Sequence, residues 1–382
     1  MNQEKPIILS SGYAGPEVFP VERLADCSMS VLRDEGETAL QYSPRSGLPS
    51  MKRMLAEWMI ADGATEVESS RIAIITGAKQ GIDLASRALA QPGDTVFTSA
   101  PTYMNGLKII RTAGLKVKGI PMDEEGLDTA VLEIELDRYR ARDELPPFVY
   151  TIPDFHNPTG VVMSPERRAR LTELAARYDF WILEDNPYRF MRIDGVSVPP
   201  LQSYDLAGRV ISLGSFAKIL GPGLRVAWMM ARADVLDRLL VYKADSGTSP
   251  LAQLLIERYF STVDLSDHLK RSTEIYRAKR DALDAALSEF MPDSASWYVP
   301  AGGYYVWLHT PGVDTDLLCQ RGGQQGVKAY QGSVFFPENT GAEQSSAPKD
   351  SLRLAFAYET PERIRAGTRL LGSLVREALS EN

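Results

Sequence analysis

Four short polar clusters in this sequence hold residue types that can do chemistry. They are the glycine-bearing turn 76–81 (TGAKQG), the turn 153–160 (PDFHNPTG), the segment 185–188 (DNPY) and the segment 214–218 (GSFAK). The amine of Lys218 can form a Schiff base with an aldehyde, and a carboxylate at Asp185, if it is buried, needs a cationic or donor partner. Free amides in the turn 76–81 can bind a phosphate, and Asn157 can donate a hydrogen bond. Taken singly, each cluster is also compatible with an ordinary turn, a helix cap or a surface salt bridge.

The clusters follow separate apolar runs, and such runs predict β-strands whose ends lie together. Ligands of open parallel sheets bind outside the carboxyl ends of the strands. A ligand that touches all four clusters needs an aldehyde for the lysine, a ring nitrogen for the carboxylate, a phosphate for the turn and a hydroxyl for the amide. Pyridoxal 5'-phosphate carries these four groups. The clusters therefore predict a pyridoxal 5'-phosphate site.

The segments between and around these clusters form an α/β pattern. Ser164-Pro165 begins a crossover helix, in which Leu171 and Leu174 belong to one apolar face. Apolar runs alternate with such helical stretches, which predicts one large, mostly parallel sheet sandwiched by helices. We expect seven strands in it, at residues 71–75, 95–99, 115–120, 148–152, 180–184, 209–213 and 224–230.

The sequence after residue 249 predicts a connecting helix and a smaller C-terminal α+β domain. Leucines at helical spacing continue to Leu287, and strand-like runs at 303–308 and 352–357 precede an amphipathic helix at 361–379. We expect an N-terminal arm with part of the small domain at 1–40, a large cofactor-binding domain that includes the connecting helix at 41–275, and the small domain at 276–382. Residues 337–349, rich in Ser, Gly, Glu and Ala, predict a surface loop.

Composition excludes several classes of function. The 42 Lys and Arg against 50 Asp and Glu give a net charge of −8. The sequence therefore has no excess of positive charge that would attract nucleic acid or an anionic membrane. Two cysteines and three histidines cannot supply a disulfide framework and indicate no metal site. No apolar stretch approaches the roughly 18 residues of a membrane span, and the first residues do not read as a signal peptide. We expect a cytoplasmic protein.

The clusters and several further segments resemble the fold type I pyridoxal-phosphate enzymes, specifically class I/II aminotransferases of the 2-aminoadipate and kynurenine aminotransferase branch. The resemblance covers nearly the whole chain and implies a homodimer with shared active sites, which moves an α-amino group from an amino acid to a 2-oxo acid. The segments that carry it are 12–20 (GYAGPEVFP), 40–47 (LQYSPRSG), 76–80, 101–103, 155–160 (FHNPTG), 184–188 (EDNPY), 214–218, 222–225 (PGLR), 302–307 and 352–356 (LRLAF).

The resemblance implies a role for each residue that faces the cofactor ring. Lys218 would hold the cofactor through its aldehyde and then shuttle the substrate proton. Asp185 would keep the ring nitrogen protonated, so that the ring accepts electrons. Asn157 and Tyr188 would hydrogen-bond the ring hydroxyl oxygen, and Tyr103 would stack on the ring.

The resemblance also implies which residues hold the phosphate and the substrate. The phosphate would contact Ser215, Arg225, the amides of Ala78 and Lys79, and Tyr42 from the other subunit of the dimer. Arg353 would bind the substrate α-carboxylate in a bidentate pair, with Asn157 and the backbone of Gly12 beside it.

The sequence departs from the family pattern in two places that bear on binding. Ala78 and Ala217 stand where relatives usually carry hydroxyl residues that contact the phosphate, and each lost hydrogen bond is worth on the order of 1 kcal/mol. We expect weaker cofactor binding, partly offset by the charge of Lys79. Departures at Tyr13, Leu48 and Arg189 predict a non-standard substrate pocket.

Two other functions stay open at the level of sequence. The same site can eliminate a β- or γ-substituent, decarboxylate or cyclise, so a lyase acting on a specialised amino acid is the alternative to an aminotransferase. A non-catalytic binding protein is a third hypothesis, against which the intact Lys218 and Asp185 pair argues. If the substrate carries a second charged group, Arg23 and Arg45 are candidates to bind it.

Overall fold

The structure is a computed structural model that describes residues 5–61, 67–337 and 347–381. The predicted surface loop at 337–349 lies mostly outside the described residues. The strands are, in chain order, β1 (Ile7–Ile8), β2 (Ile72–Ile75), β3 (Thr95–Ala100), β4 (Lys116–Asp123), β5 (Gly126–Leu127), β6 (Phe148–Thr151), β7 (Trp181–Asp185), β8 (Val210–Ser215), β9 (Ala227–Met230), β10 (Ser296–Trp297), β11 (Tyr305–His309), β12 (Val327–Lys328), β13 (Tyr330–Gln331) and β14 (Ser351–Ala355).

The structure describes twelve α-helices, several of which flank the large sheet. They are α1 (Val21–Asp34), α2 (Gly36–Ala39), α3 (Pro49–Ala61), α4 (Ala78–Leu89), α5 (Met104–Thr112), α6 (Thr129–Arg140), α7 (Pro165–Tyr178), α8 (Ala233–Leu240), α9 (Pro250–Thr262), α10 (Leu265–Phe290), α11 (Thr315–Gln324) and α12 (Pro361–Ser380). None of the described helices is long and apolar enough to cross a lipid bilayer.

The large sheet confirms the predicted α/β class. Its strand order is β2-β9-β8-β7-β6-β3-β4-β5, and each of the seven predicted runs overlaps one of its strands. The eighth strand, β5, is a two-residue segment that folds back on the end of β4. The sheet is mixed, because β9 is antiparallel to both of its neighbours.

The strands are almost continuously apolar because both faces of the sheet are covered. In β7, Ile182 packs into one core cluster and its neighbour Leu183 into another. Alternate side chains of a strand point to opposite faces, so both faces need apolar residues. The crossover helix α7 begins as predicted, with Pro165 in its first turn and the Ser164 hydroxyl accepting the amide of Arg167.

The C-terminal part is built on a four-stranded antiparallel sheet of order β10-β11-β14-β13. The N-terminal arm joins it, since β1 pairs with β12 in parallel. The predicted connecting helix is two helices, because Asp264 caps a new start by accepting the amide of Ser266 between α9 and α10. The domain limits at residues 40 and 275 stay a prediction.

Candidate active site

The carboxyl edge of the large sheet gathers the residues that the sequence analysis singled out. Strands β2, β3, β6, β7 and β8 run in one direction, so the segments that follow them meet at one edge. Antiparallel β9 begins at that edge, which brings Arg225 to it as well. The elements that lead into the edge therefore carry Ala78, Lys79, Tyr103, Asn157, Asp185, Tyr188, Ser215, Lys218 and Arg225.

A cavity of about 490 Å³ lies at this edge, between the large sheet, the N-terminal arm and the four-stranded sheet. All of those residues line it, together with Gly12 from the arm and Arg353 from β14. The cavity thus brings together every residue predicted to contact the cofactor or the amino and carboxylate groups of the substrate, except Tyr42. Further wall residues that the sequence analysis did not select for the site include Met104, Asn105, Tyr305 and Tyr330.

The Lys218 amine lies in the middle of these groups. Its Nζ donates a hydrogen bond to the carbonyl oxygen of Gly12 at 2.6 Å and lies 4.9 Å from the centre of the Tyr304 ring. Burial, followed by the positive charges of Arg353 and Lys79, lowers the pKa of the Lys218 amine to about 8. A substantial fraction of this amine is therefore neutral, and nucleophilic, near physiological pH.

The Asp185 carboxylate lies at the end of β7 and is only 3% exposed. Its Oδ2 accepts a hydrogen bond from the Tyr150 hydroxyl at 2.8 Å, whereas its buried Oδ1 has no partner among the described residues. Burial raises the pKa of Asp185 to about 6, although the Tyr150 hydrogen bond acts in the opposite direction. Sequence analysis missed Tyr150, because it lies inside β6 rather than after the strand.

Arg353 of β14 connects the four-stranded sheet to the segment that follows β6 of the large sheet. Its Nη1 donates to Oδ1 of Asn157 at 3.0 Å and its Nη2 to the carbonyl of Ser10 at 2.5 Å. The guanidinium lies 4.2 Å from the centre of the Tyr305 ring and 4.9 Å from that of Tyr330. Its Nε is buried without a partner among the described residues. These contacts hold the guanidinium in one orientation and leave a donor for an anion.

Tyr188 and Tyr305 form a buried pair beside Lys218, with their hydroxyl oxygens 3.0 Å apart. Burial raises the pKa of Tyr188 well above its ordinary value, so its hydroxyl stays protonated and can donate. A Cβ at Gly12 would lie 2.3 Å from the Tyr305 hydroxyl oxygen. Residue 12 must therefore be glycine if the arm is to approach both Tyr305 and Lys218.

The start of α4 forms one end of the cavity and suits a phosphate. Gly77 precedes the helix with φ +92° and gives no side-chain cap, so the first amides of α4 stay available to a ligand. A Cβ at Gly77 would lie 2.1 Å from an Arg225 nitrogen, so glycine is also needed for Arg225 to approach. The Ser215 hydroxyl accepts the amide of Ala217 at 3.1 Å and retains its own proton for donation.

The cavity contains polar groups without a partner, and their chemistry shows whether the residues fit pyridoxal phosphate. An unpaired buried oxygen on Asp185 suits a protonated ring nitrogen, because a buried carboxylate is costly without a donor or cation. The uncapped amides of α4 suit the phosphate, and the Lys218 amine suits the aldehyde. The residues present therefore fit this cofactor.

Several residues that the sequence analysis named lie elsewhere. Tyr42 is 79% exposed and does not belong to the described wall of its own chain's cavity. Neither do Arg45 and Leu48, and Arg23 lines a separate surface groove beside Asp26.

Arg189 also points away from the cavity. Its Nη1 donates to the carbonyl of Val198 and contacts Asp154, the buried partner of Arg168. Of the three departures thought to reshape the substrate pocket, only Tyr13 lines it.

The lowered pKa of Lys218 predicts how cofactor capture depends on pH. Only the neutral amine attacks an aldehyde, so the rate of covalent capture by cofactor-free protein should rise from pH 6, reach about half of its maximum near pH 8 and level off above that pH. Rapid-mixing absorbance measurements record this rate, and Lys218→Ala, which should show no covalent phase, is the control. A rate that continues to rise to pH 10 would show that the amine is not perturbed.

The Tyr150 hydrogen bond predicts a second pH effect. Tyr150→Phe removes a donor to the Asp185 carboxylate and so raises the pKa of Asp185 further. Cofactor affinity should fall more at pH 6, where the variant carboxyl is largely protonated, than at pH 8.5. Tyr178→Phe removes a comparable hydrogen bond, to Asp137 outside the cavity, and should leave affinity unchanged. An equal loss at both pH values would contradict this role of Tyr150.

Comparison with known proteins identifies the family. Residues 7–368 match the family described as aminotransferase class I and II. The aromatic-amino-acid aminotransferase 1 of Thermococcus litoralis is 36% identical over 378 residues, which cover 98% of this chain and 89% of that protein.

Two solved structures are similar throughout. The multiple substrate aminotransferase of Thermococcus profundus has a TM-score of 0.92 and 34% identity, covering 100% of this chain and 94% of that one. The α-aminoadipate aminotransferase LysN of Thermus thermophilus, complexed with N-(5'-phosphopyridoxyl)-L-leucine, has a TM-score of 0.89 and 33% identity, covering 99% and 94%. This chain belongs to the class I and II aminotransferases and is a pyridoxal-phosphate-dependent aminotransferase of fold type I.

Proposed function

We propose that this aminotransferase takes large neutral L-amino acids, aromatic ones above all, as its amino donors. The observation that carries the proposal is the chemistry of the cavity wall beyond the catalytic groups. Tyr13, Tyr103, Met104, Tyr305 and Tyr330 supply aromatic and apolar surface there. Such surface favours aromatic side chains through area burial and edge-to-face contacts.

The cations of the wall leave no partner for a second carboxylate on the donor. They are Lys79, Lys218, Arg225 and Arg353. Lys79 and Arg225 lie at the start of α4, where we assign the phosphate, and Lys218 and Arg353 serve the amino and carboxylate groups common to all donors. Arg23 and Arg45 lie outside the described wall. The relative named for aromatic amino acids supports neutral donors.

The roles of the chain's own residues follow from their positions. Pyridoxal phosphate, when bound, supplies a carbonyl carbon for the amino group and a ring that takes up the electron pair left at the substrate Cα. Asp185 holds a proton at the ring nitrogen through its open Oδ1, and Tyr150 orients the carboxylate through Oδ2. Asn157 and Tyr188 would hydrogen-bond the ring hydroxyl oxygen, and Tyr103 would contact the ring.

Lys218 carries the proton transfer. With a pKa of about 8, its amine can accept the Cα proton and return it to a neighbouring carbon at neutral pH. Arg353 binds the substrate carboxylate through Nε and its remaining protons, while its bonds to Asn157 and Ser10 fix its plane. The backbone of Gly12 closes the substrate side of the site.

The alternative lyase activity receives no support from the cavity. The departures at Tyr13, Leu48 and Arg189, which predicted a non-standard substrate pocket, do not favour it, because only Tyr13 lines the wall. Arg189 is occupied by a buried ion pair. We therefore propose transamination alone, with a 2-oxo acid as the amino acceptor.

We further propose that the protein is a homodimer in which Tyr42 reaches the phosphate of the partner's site. Its exposure, and its position outside its own cavity wall, support this role. Exposed apolar side chains on neighbouring segments, such as Met29 and Leu40, support a subunit contact there. The domain limits at 40 and 275 and a cytoplasmic location stay predictions.

Donor specificity tests the proposed substrate class. With one 2-oxo acid as acceptor, kcat/KM for phenylalanine or tyrosine should exceed that for 2-aminoadipate or aspartate at least tenfold. Tyr13→Leu should lower kcat/KM for phenylalanine about threefold to tenfold, the range that an aromatic contact of about 0.5–1.5 kcal/mol gives. Tyr298→Leu, an exposed tyrosine outside the described wall, is the control. Preference for a dicarboxylic donor would overturn the proposal.

Mixed dimers test the role of Tyr42. A dimer of one Lys218→Ala subunit and one Tyr42→Ala subunit contains one complete site only if Tyr42 acts across the interface. Such hybrids should bind one cofactor covalently per dimer with wild-type affinity, whereas Tyr42→Ala homodimers should bind about tenfold more weakly. Hybrids no better than the Tyr42→Ala homodimer would place Tyr42 in its own site.

A further inference from the structure

We infer that the side-chain ammonium of Lys79 is a ligand of the cofactor phosphate and replaces the hydroxyl groups that Ala78 and Ala217 lack. The inference concerns the side chain rather than the backbone amide of residue 79. It rests on the pyridoxal phosphate assignment but not on the identity of the amino donor.

The position of Lys79 supports this role. It is the second residue of α4 and lines the cavity with Ala78, Ser215 and Arg225. Arg225 lies against Gly77, the residue before the helix, and one of its nitrogens donates to the carbonyl of Thr76. Lys79 and Arg225 therefore flank the same uncapped helix start from which the first amides are offered.

The charge of Lys79 is unfavourable where it stands unless an anion is bound. The start of a helix carries the positive end of its dipole, so a cation in the first turn is disfavoured. No acidic residue lies in the first turn of α4. The Lys79 ammonium has no hydrogen bond or ion pair with any residue that the structure describes. A bound phosphate dianion would form a favourable ion pair with the Lys79 ammonium.

The small number of hydrogen-bond donors at this end of the cavity also supports a role for Lys79 in binding the phosphate. Ser215 offers one hydroxyl, while Ala78 and Ala217 offer none. Arg225 already uses part of its guanidinium on the carbonyls of Pro222 and Thr76. A bound phosphate needs several charge-assisted donors, and Lys79 is the remaining cation beside the helix start in the described wall.

A comparison of two ligands with two proteins tests the inference. Dissociation constants of pyridoxal phosphate and of pyridoxal, which lacks the phosphate, are measured by absorbance titration of cofactor-free wild type and Lys79→Gln. We expect Lys79→Gln to bind pyridoxal phosphate about tenfold more weakly at low salt and to bind pyridoxal within twofold of wild type. Raising the salt from about 50 to 500 mM should shrink the tenfold ratio, because screening weakens the lost ion pair.

Two further proteins complete the design. Lys270→Gln removes an exposed helical lysine of α10 that lies outside the described wall, and it should bind both ligands as wild type does. Lys79→Gln combined with Ala78→Ser should regain part of the affinity for pyridoxal phosphate. The melting temperature of cofactor-free Lys79→Gln should not fall, since the substitution removes an unfavourable charge from the helix start.

Two outcomes would overturn the inference. One is unchanged affinity of Lys79→Gln for pyridoxal phosphate, and the other is an equal loss for both ligands, which would mean that Lys79 does not act on the phosphate. In either case binding of pyridoxal phosphate by the wild type would leave the cofactor assignment intact. A wild type that binds neither ligand would overturn that assignment as well.

Discussion

A buried carboxylate with one oxygen bound and the other left open is the feature on which this active site depends. Asp185 would be costly at 3% exposure if it had no donor, and the Tyr150 hydroxyl supplies only one. The partnerless Oδ1 favours a protonated ring nitrogen as its donor. The large sheet fixes this arrangement, because Tyr150 and Asp185 belong to the adjacent parallel strands β6 and β7.

The remaining groups are organised around that carboxylate by two sheets that meet at the cavity. The large sheet supplies the cofactor side, through segments that follow parallel strands and through Arg225, which precedes the antiparallel strand β9. The four-stranded sheet supplies Arg353, whose bond to Asn157 crosses from one sheet to the other. The N-terminal arm completes the enclosure, since its pairing with β12 brings Gly12 to Lys218. A donor amino acid would thus be held by one sheet while the other sheet holds the cofactor.

Sequence predicted the parts of this site that depend on local order along the chain. Apolar runs located the strands, and polar residues directly after them, such as Asp185 and Lys218, lie where the topology requires. Sequence analysis missed Tyr150 because it lies inside a strand, where a tyrosine cannot be told apart from the other residues of a buried apolar run. Sequence analysis missed Tyr330 because Tyr330 comes close to Arg353 only through the pairing of β13 with β14. These strands are about twenty residues apart in the chain.

Other features could not be predicted from the sequence, for related reasons. The antiparallel direction of β9 is invisible in an apolar run, since both faces are buried whichever way the strand runs. Arg189 follows Tyr188 and so looked like a pocket residue, but a partner far back in the sequence, Asp154, draws it into the core. The resemblance to a known family supplied roles for Arg353 and Tyr42 that no local pattern contains.

The claim that Asp185 keeps the cofactor ring nitrogen protonated can be measured on that nitrogen itself. Protein loaded with ring-¹⁵N pyridoxal phosphate can be examined by NMR at pH 8, where the free pyridine nitrogen carries little proton. The open oxygen of Asp185 predicts a fully protonated nitrogen in the wild type and an unprotonated one in Asp185→Asn. An unprotonated nitrogen in the wild type, or the same signal in both proteins, would contradict the claim.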